Sequence, residues 1–470
     1  MSARTSPSTE LWTLGIEALL DGYAAGDFLP TEVLESCLRR IEETDGRLSV
    51  FVHLDVSGAR DMAAASDRAY RAGTPRGRLD GIPVGIKDII DVAGMPTRCG
   101  SRIMPDHPVT SDASVTRTLR EQGAIILGKV ATHEFANGLP SLDLPAPPAR
   151  NPWNVDHHPG GSSSGSGAGV AAGMFPLGIG TDTGGSARHP ASACGIVGLK
   201  PTYGAISREG VFPLSPSLDT VGLLTRSTRD AAIALEALAH PSAADPSSVT
   251  MPWTTLSGGT SDAEGLRIAY VRHFHEQDVI ADPEVAAGLD RAAELFSNAG
   301  ARVDDYQLAA ADEYFAVNRV ILHSDAYAIH QDFLKDQPQD YGAAQRESLL
   351  VGAFVGAADL VRAQMRRTEL VQQMARCFAE YDIILCASSM DPAGRFDDPA
   401  GTARTYARQA RTPFNVTGAP AISLMSGLAS NGLPISIQLA ARPCDEPALI
   451  RAAAAYETIA GAMPKAFDPA

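Results

Sequence analysis

The sequence predicts an α/β fold, a large mixed β-sheet covered by helices on both faces. Short apolar runs of strand length recur from Gly81 onward: IPVGIKDII, AIILGKV, FPLGIGTD and IVGLKPT. Glycine-rich, small-residue segments separate them, as close-packed turns and helices between buried strands require. Flanking stretches carry apolar residues at three- and four-residue spacing, the mark of amphipathic helices.

Taken in order, residues 9–67 read as helical, through ELWTLGIEALLDGY and TEVLESCLRRIEET, with Pro30 and Thr31 suited to a helix start. The four apolar runs follow as strands. Residues 240–265 are rich in Pro, Ser, Thr and Gly, which makes them a surface connection between two halves of one domain. LRIAYVR then reads as a strand and DPEVAAGLDRAAELFSNAG as a helix closed by its glycine. Residues 313–381 read as mostly helical. DIILCAS and PAISLMS return to strand texture, and EPALIRAAAAYETIAGA is a final helix.

Composition narrows the function. The chain has 470 residues, 44% hydrophobic and 20% charged, which fits a packed globule. Its formal charge of -16 disfavours a nucleic-acid surface, which needs clustered Lys and Arg. The cysteines, at 37, 99, 194, 377, 386 and 444, form no Cys-x-x-Cys pair, so buried thiols in a reducing compartment are expected rather than zinc ligands or disulfides. The N-terminal MSARTSPSTELW has no apolar core of signal-peptide length, and no run of about 18 apolar residues suggests a membrane span. The expectation is a cytoplasmic protein.

One stretch demands explanation: GGSSSGSGAG at residues 160–169. A linker would not run straight into the core-like segment VAAGMFPLGIGTD. A phosphate cradle would need a Walker pattern, and the nearest match, GAIILGKV at 123–130, has Val130 where Ser or Thr should stand. Ser163 sits at the centre of a G-x-S-x-G match, but the preceding NPW and DHHP are not strand sequence.

Two further blocks resolve it. GTDTGGSARHP lies at 180–190, placing Ser186 twenty-four residues after Ser162, and GIPVGIKD lies at 81–88. Together with CGIVGLKPTYGAISR at 194–208, LDTVG at 218–222 and PFN at 413–415, these resemble the amidase signature family. The likeness is dense over 76–229 and resumes over 413–447. It implies an amidase signature fold in a single domain, 1–470. Within it, N-terminal helices would occupy 1–70 and the signature core 76–230. The C-terminal part of the same sheet would fill 265–470, with a helical insertion at about 311–380.

The resemblance also implies roles. Ser186 would be the nucleophile, Lys87 the general base, and Ser162 the proton relay, held by a cis peptide. Thr183, Gly184 and Gly185 would form the oxyanion hole, with Ser163, Asp182 and Arg188 as structural support. A base lysine must be neutral, and burial among Ile82, Val84, Ile86 and Ile89 favours that. Asp88 should face away, because adjacent strand residues point to opposite sides. Lys129 and Lys200 are expected to be surface or structural residues, and His157, His158 and His189 structural or solvent-facing. Cys194 is expected to be a core thiol. No metal and no cofactor is required.

Substrate is read from Phe135, Asn137, Gly138 and Leu139, which begin a leucine- and proline-rich segment where relatives are polar. Such a rim fits an aryl or alkyl amide, anilide, carbamate or ester. The expected partner is thus a small-molecule amide or carbamate, with neither nucleic acid nor membrane, and the chain a monomer or homodimer. The alternatives are the glutaminase subunit of a tRNA-dependent amidotransferase and a silent scaffold.

Overall fold

The computed structural model describes residues 10–259 and 261–467. The expected start of the helical stretch at Thr9 and the segment before it lie outside the described residues. Among the described residues eleven strands form one sheet. They are β1 (Phe51–Leu54), β2 (Pro83–Lys87), β3 (Ile125–Val130), β4 (Leu177–Asp182), β5 (Val197–Lys200), β6 (Thr220–Thr225), β7 (Arg267–Tyr270), β8 (Arg302–Asp305), β9 (Ile383–Ala387), β10 (Ala421–Leu428) and β11 (Pro434–Ala441). Their order across the sheet is β1-β3-β2-β4-β6-β5-β10-β11-β9-β7-β8. The strands before the 240–265 connection fill one half and those after it the other, joined where β5 pairs antiparallel with β10.

Each apolar run expected to be a strand is one. The helical reading of 9–67 needs correction, because β1 interrupts it between the helices Pro30–Leu48 and Val56–Arg71. Its four residues are only half-buried at the sheet edge, too short to break a helical pattern visibly. The polar edge strand β8 escaped for the same reason.

Alternation along the strands sets the two faces. Val84 and Ile86 of β2 and Leu177 and Ile179 of β4 join one core with Leu235 of helix Thr228–Leu238 and Leu449 of helix Glu446–Ala460. Ile125 and Leu127 of β3 join the opposite core with Leu34, Ile41, Ala59 and Ala63 of the N-terminal helices. On that second face β2 and β4 present Gly85, Gly178 and Gly180, and helix Ser164–Ala171 lies directly on them. A side chain at Gly178 would come 2.9 Å from the Ser166 carbonyl oxygen, so the glycines permit the approach.

The region 311–380 is helical as expected, with helices Ala311–Asp336, Ala343–Leu350 and Ala357–Glu380. Among the described residues no single helix is long and apolar enough to cross a membrane. The helical stretches 343–354 and 357–380 together pass that test by composition but meet at 92°. All six cysteines are unpaired, and all but Cys444 are buried.

Candidate active site

β2 runs parallel to both β3 and β4, so their carboxyl ends open on one side. Ligands of open α/β sheets bind at such ends. Lys87 ends β2, the segment 131–139 follows β3, and the turn Thr183–Ser186 follows β4. The GGSSSGSGAG stretch crosses this rim before entering its helix. Gly160 takes a left-handed φ of 76°, and the Gly161–Ser162 peptide is cis.

On β2, Lys87 shares the glycine face with Gly85 and reaches the serine stretch. Its Nζ lies 2.8 Å from Ser162 Oγ, 3.0 Å from Ser163 Oγ and 2.8 Å from Thr181 Oγ1. It is wholly buried. Burial lowers its pKa to about 7, against the opposing pull of Asp182 and Asp219. Asp88 faces elsewhere, as expected, and pairs with Lys129 at 3.0 Å. Lys129 and Lys200 are both fully buried, which excludes a surface role. Lys200 Nζ donates to the Pro201 carbonyl at 2.9 Å.

The serine backbones are tied together, since the Ser163 N–H donates to the Ser186 carbonyl at 3.2 Å. Ser162 and Ser186 both line a cavity of about 640 Å³, along with Thr183, Gly184 and Gly185. The Gly185 N–H is already engaged by Asp182 Oδ1 at 2.9 Å, which removes it from the expected oxyanion donors. Gly184 and Ser186, on either side of it, line the cavity. The Thr183 hydroxyl donates to Asp219 Oδ1 at 2.6 Å, and its carbonyl accepts from Asn318 Nδ2 at 3.2 Å.

Behind the turn, Asp182 and Arg188 pair with each other, Nη2 2.8 Å from Oδ1. Burial alone would raise the Asp182 pKa, yet the Arg188 guanidinium holds it well below the usual carboxylate range. Arg188 also donates to Gln438 Oε1 at 2.6 Å and Asn415 Oδ1 at 2.7 Å, linking the turn to the C-terminal half of the sheet. Ser163 donates to the Thr181 carbonyl and accepts from its N–H, both at 3.1 Å.

Of the expected substrate residues, Asn137, Gly138 and Leu139 line the cavity. Phe135 does not. Its ring is buried beneath the wall against Phe212, His330 and Tyr341, because a left-handed φ of 49° turns the chain there. Leu142, in the same leucine-rich rim, is instead exposed to solvent. Helix Ala311–Asp336 supplies a wall through Phe315, Asn318 and Leu322.

His189 is buried and lines the cavity, its ring 4.3 Å from that of Tyr406. His158 is buried too, while His157 Nδ1 lies 2.8 Å from the Ala393 carbonyl. Cys194 is a core thiol, directed at the Pro159 carbonyl. The sequence reading missed His133, whose N–H donates to the Ser162 carbonyl at 3.1 Å and whose pKa burial lowers to about 4. Its position three residues past a parallel strand was the available signal. Thr181, Tyr406 and Arg411 were missed as well. Among the described residues no cluster of His, Cys, Asp and Glu could hold a metal ion.

This architecture has close counterparts among known proteins. The family model described as Amidase matches residues 32–450. The chain belongs to the amidase signature family. Its relatives include a glutamyl-tRNA(Gln) amidotransferase subunit of Myxococcus xanthus (strain DK1622), 35% identical over 96% of this chain and 97% of that protein. Among solved structures, a chain of a vestigial complex said to reveal the evolutionary origins of an s-triazine catabolic enzyme is 30% identical. It superposes with a TM-score of 0.88 over 95% of this chain and 98% of its own. The native peptide amidase of Stenotrophomonas maltophilia is 28% identical, with a TM-score of 0.84 over 99% and 100%. The protein is accordingly an amidase signature hydrolase acting on C–N bonds.

Proposed function

We propose that the chain hydrolyses small amides or carbamates through an acyl-enzyme on Ser186, with Lys87 as base and Ser162 as relay. The observation that carries this is the fully buried Lys87 amine, whose Nζ lies 2.8 Å from Ser162 Oγ. A neutral amine has two N–H groups and one lone pair. Ser163 gives its own proton to the Thr181 carbonyl and so accepts from Nζ, which leaves the Ser162 hydroxyl able to donate to the lone pair. Ser162 would pass its proton to Nζ while taking one from Ser186 Oγ, which bonds to the substrate carbonyl carbon.

The Gly184 and Ser186 N–H groups would meet the resulting oxyanion, an interaction typically worth about 3–4 kcal/mol per donor. As the C–N bond breaks, the proton returns through Ser162 to the leaving nitrogen. Water then repeats the path in reverse. Leu139, Phe315 and Leu322 favour an apolar aryl or alkyl group on the substrate. The unpaired thiols fit a cytoplasmic setting.

A second reading follows from the relatives: a glutaminase that works within a multi-subunit complex and delivers ammonia to its partner. The exposed apolar side chains of Phe354, Val361 and Met365 would suit burial against such a partner. Assaying the purified chain alone on an acyl-anilide, an aryl carbamate, an aliphatic amide and glutamine separates the two. Turnover of the anilide or carbamate, absent in Ser186→Ala, supports the first. Turnover of glutamine alone, or only once other subunits join, would replace it with the second.

A further inference from the structure

The cavity wall formed by residues 406–412 carries polar groups that the proposed reaction leaves unused. Tyr406, Arg411 and Thr412 all line the cavity. The Tyr406 hydroxyl, Arg411 Nε and Thr412 Oγ1 are each buried with no hydrogen-bond partner among the described residues. All three can donate. Unpaired buried donors are costly, and a buried cation more so, unless a ligand completes them.

Arg411 is the decisive member. It is 3% exposed, and its Nη1 donates to the Ser388 carbonyl at 2.9 Å and Ser389 Oγ at 2.7 Å, both uncharged. Burial and the neighbouring Arg188 lower its pKa to about 9, which leaves it cationic at neutral pH. Arg188 pairs directly with Asp182, whereas the side-chain hydrogen bonds of Arg411 run to uncharged oxygens.

A side chain at Gly185, the residue before Ser186, would lie 2.6 Å from Arg411 Cδ. One at Gly161, the residue before Ser162, would lie 2.6 Å from Tyr406 Oη. The donors therefore border both serines.

We infer that the preferred substrate carries a carboxylate a few bonds from its scissile carbonyl, held by Arg411 with Tyr406 and Thr412. The chemical class is a half-amide of a short dicarboxylic acid, with its apolar amine lodged against Phe315 and Leu322. This rests on the proposed hydrolytic role of Ser186 for turnover, but not for binding.

The test compares two anilides that differ only in the terminal group, succinyl 4-nitroanilide and butyryl 4-nitroanilide. The full chain should favour the succinyl compound by roughly 10–100-fold in kcat/KM, the worth of a charged hydrogen-bonded pair. Arg411→Gln should collapse that ratio, and Tyr406→Phe should reduce it in part. Equal losses on both substrates, or a wild-type preference for the butyryl compound, would overturn the inference. Binding of succinate to Ser186→Ala, followed by calorimetry, needs no turnover. Binding lost on adding Arg411→Gln upholds the carboxylate site even if neither anilide is hydrolysed, and that outcome would sink the hydrolytic reading alone. Absence of succinate binding to Ser186→Ala overturns the site whether or not the arginine variant folds.

Discussion

Arg188 and Asp182 form a fully enclosed, two-pronged ion pair directly behind the turn that carries Ser186. Nη2 lies 2.8 Å from Oδ1 and Nε 3.0 Å from Oδ2, with neither side chain exposed. The carboxylate also accepts the N–H groups of Gly185, Ala187 and Arg188, so it shapes the turn as well as pairing the cation.

Removing one partner leaves the other as a buried charge. Arg188→Met should lower unfolding stability by about 3–5 kcal/mol. Because the Asp182 pKa is depressed in the fold, its contribution is present above the unfolded-state carboxylate range and is lost as pH falls through and below it. Urea unfolding at pH 7 and pH 2 checks both points. A loss under about 1 kcal/mol at pH 7 would contradict the pairing.

On the proposed roles, Ser186→Ala and Lys87→Ala should each cut kcat by at least about 10³-fold without unfolding the chain. Mass spectrometry of acid-quenched wild-type protein should show one added acyl group, and Ser186→Ala none. An acyl group persisting in that variant would place the nucleophile elsewhere.

Lys87 must be deprotonated to accept a proton, and its pKa stands at about 7. kcat/KM should therefore rise with pH through about 7 and level off above it. A profile flat from pH 5.5 to 8.5 would reject lysine as the titrating base.

The same lysine burdens the fold. In the unfolded chain it titrates near 10.5, so between 7 and 10.5 the unfolded state holds a proton that the folded state lacks. Stability thus rises with pH across that window. Lys87→Met should be the more stable protein at pH 7, by about 3–5 kcal/mol at most, with the gap closing toward pH 10. Guanidinium unfolding of both proteins at pH 7 and 10 reads this, and a gap that widens with pH would show the sign to be wrong.

Gly161 and Gly46 make a contrast. A Cβ at Gly161 would collide with the His133 ring, whereas one at Gly46, within helix Pro30–Leu48, meets nothing within 4 Å. Gly161→Ala should cost about 1–3 kcal/mol and most of the activity. Gly46→Ala should stabilise by up to about 1 kcal/mol, the helix-propensity difference, with activity unchanged. Thermal unfolding and initial rates on the same anilide check the pair.

Much of this was legible in the sequence, because the signature blocks are short, ordered and tied to strand ends. Lys87 lies within hydrogen-bonding reach of Ser162 and Ser163, Asp182 pairs with Arg188, and Ser162 and Ser186 line one cavity. Phe135 was misread because a left-handed turn redirects its ring into the core, and no local pattern announces such a turn. Tyr406 and Arg411 carry no motif at all. They reach the cavity only because β10 pairs with β5 and brings residue 411 against residue 188, where the Arg188 guanidinium donates to the Arg411 carbonyl at 2.9 Å. That closure is a tertiary fact, invisible in one dimension.

The seam between β5 and β10 has an evolutionary reading. The groups proposed to break the bond lie between residues 87 and 186, while Phe315, Leu322, Tyr406 and Arg411 arrive from the far side of it. Mutations can accumulate in the distant part and change diet without touching the scissors. Proteins alike over nearly their whole length can then carry names as different as peptide amidase and glutamyl-tRNA(Gln) amidotransferase. Ancestry in this lineage would be inherited through one half of the chain, and livelihood through the other.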